Sequence, residues 1–235
     1  MTHPLSKINR LNHKSYLFFN LIGLTITSLA LNAIFSLPLP KELESAGHFQ
    51  FLTNLSLIFT IITILSNIIT VIYPNSLILG LNIYLNAITI ILETLVALIY
   101  WILRIFFIYL IIPKGVKPEN FIPLYIDMSI HLFPITFLSI DYYLIKFKNF
   151  NINSKIVFGL VIGLTSSYWI LLESLIKPPA SYPYPFLNVD TKERVIIFVI
   201  VGVFGFLFYQ ISNNLHKPIQ SLIYGKQVEE KTKNN

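Results

Sequence analysis

The chain contains no cysteine among its 235 residues. Disulfides, thiolate nucleophiles and zinc–sulfur sites are therefore excluded. Charge is nearly as scarce: Asp, Glu, Lys and Arg make up 12% of the residues, against about a quarter in a typical soluble domain. There is no glycine-rich phosphate loop and no glycine-flanked serine of the nucleophile-elbow kind. The glycines at 159, 163, 202 and 205 fall inside long apolar stretches, where no strand-to-helix turn is expected.

What is plentiful is hydrocarbon. The chain is 54% hydrophobic with a mean hydropathy of +0.68, which makes it a multi-pass membrane protein whose first partner is the lipid bilayer. A crossing helix needs about 20 mostly apolar residues. Six segments qualify, at about 15–37, 50–73, 78–112, 121–145, 155–177 and 194–216. The expected fold is all-α, a polytopic bundle of six transmembrane helices forming a single membrane domain over residues 1–235. The third segment is long enough to tilt or to extend past the lipid. The first follows Lys7, Arg10 and Lys14, but its apolar run is too long for a signal peptide and no small-residue cleavage site follows, so it reads as a retained span.

The formal net charge of +6 fits positively charged cytoplasmic loops better than nucleic-acid binding, and no nucleic acid is expected. Six spans put both termini on one side. Lys7, Arg10, Lys14, Lys146, Lys148, Lys155, Lys217, Lys226, Lys231 and Lys233 fall on that side, while Lys41, Lys114, Lys117, Lys177, Lys192 and Arg194 fall on the other. The bias favours cytoplasmic termini. The ending Lys231-Thr-Lys233-Asn-Asn235 resembles a dilysine retrieval signal, which implies the endoplasmic-reticulum membrane.

Polar residues recur at helical spacing. Thr53, Ser56, Thr60, Thr63, Asn67 and Thr70 share a face of the second span, and Asn82, Asn86, Thr89, Glu93, Tyr100 and Arg104 share one of the third. The fourth aligns Asp127, His131, Pro134 and Asp141. The fifth offers Gly159, Gly163, Ser166, Ile170 and Glu173, and the sixth Gly202, Gly205, Tyr209 and Ser212. Helix association accounts for the small and neutral residues, Gly159 and Gly163 especially. It accounts less well for Glu93, Arg104, His131, Asp141 and Glu173, because a charge at a helix centre costs about 2.5–3.5 kcal/mol on the insertion scale and usually marks function. Chain direction brings Thr53, Tyr100, Arg104, Asp127, His131, Glu173 and the connection at 182–186 to the same end of the bundle. His48 reads as structural; His3, His13 and His216 read as solvated. A metal site would need His131 to join Asp127 and Glu173.

Three segments carry a family resemblance: GHFQFLTNL from Gly47 to Leu55, PKGVKPENFIP from Pro113 to Pro123 leading to Asp127 and His131, and Tyr184-Pro185-Phe186-Leu187. Their order and spacing resemble the androgen-induced (FAR-17a-like) family of multi-pass membrane proteins, which includes hydrolases of fatty acid esters of hydroxy fatty acids. The resemblance implies an intramembrane threonine hydrolase of lipid esters, with Thr53 as nucleophile and His131 as catalytic histidine. It implies no dissociable cofactor. Asp127 and Met128 stand where the family often has Asn and His, and Lys148-Asn-Phe-Asn-Ile-Asn153 replaces a His-rich connection, which fits a divergent, fungal-type member. The chemistry agrees: a threonine hydroxyl becomes nucleophilic when a positioned base removes its proton, and neutral imidazole is the usual base near pH 7. Asp127, four residues before His131, either orients the ring or faces headgroup water; Tyr100 and Arg104 are candidate oxyanion donors. Two rival readings remain: a non-enzymatic lipid-binding or assembly protein, and a small transporter working through Glu93 and Arg104. Oligomeric state leaves no trace in the sequence.

Overall fold

In a computed structural model, residues 9–112 and 122–225 are described. The fold is an all-α membrane bundle. Six helical segments are long and apolar enough to cross a bilayer: His13–Phe35, Leu52–Ile72, Ser76–Phe106, Leu124–Ile145, Ser154–Leu175 and Thr191–Tyr224. The helices are α1 (His13–Phe35), a short α2 (Lys41–Glu44), α3 (Leu52–Ile72), α4 (Ser76–Phe106), α5 (Leu124–His131), α6 (Phe133–Ser139), α7 (Ser154–Leu175) and α8 (Thr191–Tyr224). The outward faces carry Leu, Ile and Phe side chains such as Phe18, Leu29, Ile105, Ile170 and Val203. Helices suit this setting because each satisfies its backbone polar groups internally.

The centre is α3, packed against α4 on one side and α1 on the other, with α5 and α6 closing the group. Its polar stripe faces inward as the spacing predicts: Thr53, Ser56, Thr60, Thr63, Asn67 and Thr70 are all buried. The stripe hydrogen-bonds across to α4, where the Thr60 hydroxyl donates to Glu93 (2.7 Å) and Thr63 pairs with Thr89 (2.7 Å). Close approach also matters. A Cβ on Gly23 of α1 would lie 2.3 Å from the Phe137 ring of α6, so only glycine lets that ring lie against the helix.

The fourth span is broken. Proline lacks an N–H and its ring collides with the carbonyl four residues back. Pro134 stands at the start of α6, Leu132 leaves helical geometry (φ −121°, ψ −45°), and the segment ends in a π-helical turn at Ile140–Ile145. Asp141, within that turn, is buried and meets Lys146 Nζ at 2.9 Å. Lys146 also donates to Asn86 (2.7 Å), while Asn67 donates to Asn20 (3.0 Å) and accepts from Asn82 (2.8 Å). This cluster lies at the end of the bundle that holds the termini.

Several expectations need correction. The predicted inward face of the fifth span points outward: Gly159, Gly163, Ser166 and Ile170 are exposed, and no atom lies within 4 Å of a Cβ placed on either glycine. Val157, Val161 and Leu172 are buried instead. The reason is that α8 supplies the small residues of the seam, since Val161 fits against Gly202 and Gly205. His216 is not solvated; α8 continues to Tyr224, and the imidazole is buried with Nε2 3.0 Å from the Tyr142 carbonyl. The third span stops at Phe106 rather than residue 112 and is followed by a 3₁₀ turn at Ile108–Leu110. Lys146, counted among the orienting charges, is the partner of Asp141. His3, the dilysine ending at Lys231 and Lys233, and most of the Pro113–Pro123 motif lie outside the described residues.

Candidate active site

The first two turns of α3 are pinned from outside the helix. Gly47 turns the chain at φ +66°, a conformation that L side chains rarely adopt. A 3₁₀ turn at His48–Gln50 follows. The fully buried Gln50 amide donates to the carbonyls of Leu43 (2.7 Å) and Gly47 (2.8 Å), and Asn54 donates back to the His48 carbonyl (2.8 Å). The Tyr168 hydroxyl of α7 donates to the Gln50 carbonyl (2.8 Å). Partial burial holds the His48 imidazole below its ordinary pKa, and its ring stacks on Phe35 with centroids 4.9 Å apart. Thr53, the second residue of α3, thus stands on a braced helix start.

His131 comes from the opposite wall, at the last turn of α5. The break after it turns its carbonyl toward α4, where Trp101 Nε1 donates to it at 3.3 Å. Its ring lies flat against Tyr100, with centroids 3.4 Å apart and planes within 2°. Two contacts and a stacked ring therefore fix the imidazole plane. Nε2 lies 3.3 Å from Thr53 Oγ1, and Nδ1 lies 2.9 Å from Asp127 Oδ1. Asp127 is 0% exposed, so it does not face headgroup water. Its second carboxylate oxygen is 3.5 Å from Arg104 Nε, which supplies countercharge. Thr53 is 8% and His131 4% exposed, so the hydroxyl–imidazole–carboxylate series is shielded along its length.

Other candidates take different places. Glu173 lies against the Tyr182 hydroxyl (2.7 Å) and Arg194 (3.6 Å), not beside His131. The Asp127–His131–Glu173 metal set therefore does not assemble, and no group of three His, Asp or Glu stands together among the described residues. Glu93 is sealed against Thr60 within the α3–α4 contact, away from Arg104. Tyr184 was visible in the sequence as part of a motif, but its position was not. Its oxygen accepts the Leu52 N–H (3.0 Å) at the open start of α3. Desolvation pushes the Tyr184 hydroxyl above its ordinary pKa, so it stays protonated and able to donate. Trp101 carried no sequence signal, because an indole on an apolar helix looks the same whether or not its N–H has a partner.

Two cavities meet at Thr53. One, about 120 Å³, runs between α4, α7 and α8 and is lined by Ile91, Leu95, Val96, Val161, Phe198 and Gly205 among others. The second, about 570 Å³, lies under the 37–40 connection and is lined by Pro38, His48, Asn54, Pro123 and His131 among others. Thr53, Tyr100, Ile111 and Tyr184 line both.

Fold and site together define an all-α polytopic membrane protein with a buried Thr–His–Asp series at one end of its bundle. Comparison with known proteins places it within that class: a family model described as FAR-17a/AIG1-like protein matches residues 15–217, and the chain belongs to this family. It is 35% identical over 189 residues to a UPF0641 membrane protein of Saccharomyces cerevisiae, covering 74% of this chain and 79% of the relative. It is 28% identical over 171 residues to a UPF0641 membrane protein of Schizosaccharomyces pombe, covering 72% and 75%. No solved structure matches it.

Proposed function

We propose that this protein hydrolyses lipid esters within the membrane, with fatty acid esters of hydroxy fatty acids as the model substrate class. The observation that carries the reading is the continuous contact from Thr53 Oγ1 to His131 Nε2 (3.3 Å) and from Nδ1 to Asp127 Oδ1 (2.9 Å) at the junction of two cavities. Packing alone calls for no such alignment of hydroxyl, base and acid. The 3.3 Å step is loose, as catalytic hydrogen bonds often are before substrate closes the site.

Thr53 Oγ attacks the ester carbonyl while His131 Nε2 takes its proton. Asp127 accepts the Nδ1–H and stabilises the imidazolium, as the acid does in a Ser–His–Asp triad. The tetrahedral intermediate collapses, His131 returns the proton to the departing alkoxide, and an alcohol leaves. Water, activated by the same imidazole, then attacks the acyl-threonine and releases a carboxylic acid. The Tyr184 hydroxyl, held at the start of α3 where the Leu52 N–H donates to its oxygen, is the proposed donor for the oxyanion. Arg104 serves Asp127, and Tyr100 serves as the stacking platform.

The proposed location is the endoplasmic-reticulum membrane, with both termini in the cytosol as the lysine bias favours. The site then opens on the lumenal half. A transporter working through Glu93 and Arg104 fits less well, because the two side chains face different partners. The test is hydrolysis of lipid esters by the purified protein in nanodiscs. Thr53→Ala and His131→Ala should each lower turnover at least about 10⁴-fold with the fold intact. Turnover that survives either substitution in a folded protein overturns the reading.

A further inference from the structure

The two cavities at Thr53 differ in which catalytic group they reach. His131 lines the cavity under the 37–40 connection but does not line the one between α4, α7 and α8. If His131 protonates the departing alkoxide, the alcohol half of the ester must lie on the His131 side. The acyl half, held at its carbonyl by Thr53, must then extend the other way. We propose that the cavity between α4, α7 and α8 is the subsite for a single unbranched acyl chain, and that Gly205 with Leu95 and Ile91 forms the floor that limits its length. This inference rests on the hydrolase reading for its orientation.

The dimensions agree. From Tyr100, which lines both cavities, to Ile91, α4 rises about 14 Å at 1.5 Å per residue. Half of a bilayer's hydrocarbon core is about 15 Å, so the cavity is about as long as one leaflet chain. Thr53, Tyr100 and Tyr184 line the end shared with the second cavity, and apart from Thr165 and Tyr168 the rest of the lining is Leu, Ile, Val, Phe and Gly. At the far end, a Cβ added to Gly205 would stand 3.2 Å from Leu95 Cδ1 and 3.4 Å from Ile91 Cγ2. The floor is therefore already in contact, and added bulk at Gly205 has nowhere to go except toward the cavity.

The route in is the seam of α7 and α8. A membrane-facing groove lined by Trp169, Ile170, Val199 and Val203 shares Val161, Thr165, Phe198 and Gly202 with the inner cavity. Only that shared wall separates lipid from the interior. It is also lightly held, since α7 buries just Val157, Val161 and Leu172. A hydrocarbon chain can pass from the bilayer to the cavity without entering water.

The experiment has two arms. In the first, esters of one alcohol with a series of acyl lengths are compared between wild type, Gly205→Leu and Val201→Phe. The long-to-short ratio of kcat/KM should fall by about tenfold or more in the variants, while a series varying only the alcohol should keep the wild-type ratio. Val201→Phe stands in if Gly205→Leu does not fold. An unchanged acyl profile in a folded variant, or a shift in alcohol preference instead, overturns the subsite. In the second arm, Thr53→Ala protein, which needs no turnover, is irradiated with a fatty acid bearing a terminal diazirine. Adducts should map to 87–96 of α4, 157–168 of α7 and 197–205 of α8. Adducts there, together with a wild-type protein that hydrolyses none of the esters, retain the subsite and remove the hydrolase. Adducts at Ile34, Leu37 or Pro123 beside normal hydrolysis remove the subsite and retain the hydrolase.

Discussion

The fourth span carries a buried aspartate at each end, and the two are built differently. Asp141 sits in a π-helical turn against Lys146 at 2.9 Å, and Lys146 is in turn bonded to Asn86 at 2.7 Å. The polar groups around them interlock through Asn67, Asn20 and Asn82. Neither of the two cavities that meet at Thr53 is lined by Asp141 or Lys146. Asp127 is as deeply buried, but its near partner is an imidazole at 2.9 Å and its cation stands back at 3.5 Å. The imidazole then faces a hydroxyl at the edge of open space. A closed pair with a permanent cation holds helices together. A pair whose base can take and return a proton, beside room for a substrate, can do chemistry. Burial of charge does not separate the two cases; the partner and the adjoining volume do.

Exchanging the damage between the two ends tests this contrast. Asp127→Asn should lower ester hydrolysis by about 10³–10⁴-fold, because the amide no longer holds the productive imidazole tautomer, and should leave thermal unfolding in nanodiscs nearly unchanged. Lys146→Met should do the reverse. It leaves Asp141 buried without a countercharge, which costs about 3–5 kcal/mol, and whatever folded protein remains should hydrolyse esters at the wild-type rate. If Asp127→Asn instead unfolds the protein without a separate kinetic effect, the two aspartates are alike and the contrast is lost.

A smaller effect separates inner from outer glycines. Gly23→Ala drives a methyl into the buried Phe137 ring, and overpacking of this kind costs about 1–3 kcal/mol. Gly163→Ala places its methyl in lipid and should change stability by less than about 0.5 kcal/mol. Thermal melts of the two variants side by side give the comparison. Equal losses would mean that α7 presents its glycine face to the bundle after all.

The polar stripe of α3 was legible because Thr, Ser and Asn at helical spacing in an apolar helix have no stable place except inward. The stripe of α7 is ambiguous in sequence because glycine in lipid permits close packing but does not require it, and the notch is already supplied by Gly202 and Gly205 on α8. His216 looks solvated in sequence because the apolar run ends near it while the helix does not. Residues 217–224 continue α8 as an amphipathic extension, and Gln220 and Tyr224 bond the 143–146 backbone. The break after His131 was signalled by Pro134. The meeting of Thr53 with His131 followed from family resemblance, since no spacing rule connects residues on helices so far apart in the chain. Which way Asp127 points was undecided in sequence, because an acid one turn before a histidine can sit on the ring or in water. The two cavities have no sequence signature at all; they arise where the helices around Thr53 fail to close.

The most direct test of the central claim is where a fluorophosphonate probe attaches. Wild-type protein in nanodiscs, treated with a lipid-tailed fluorophosphonate and digested, should carry the phosphonyl group on Thr53, and His131→Ala should abolish that adduct because the hydroxyl loses its base. An adduct on another residue, or one on Thr53 that persists unchanged without His131, would contradict the account.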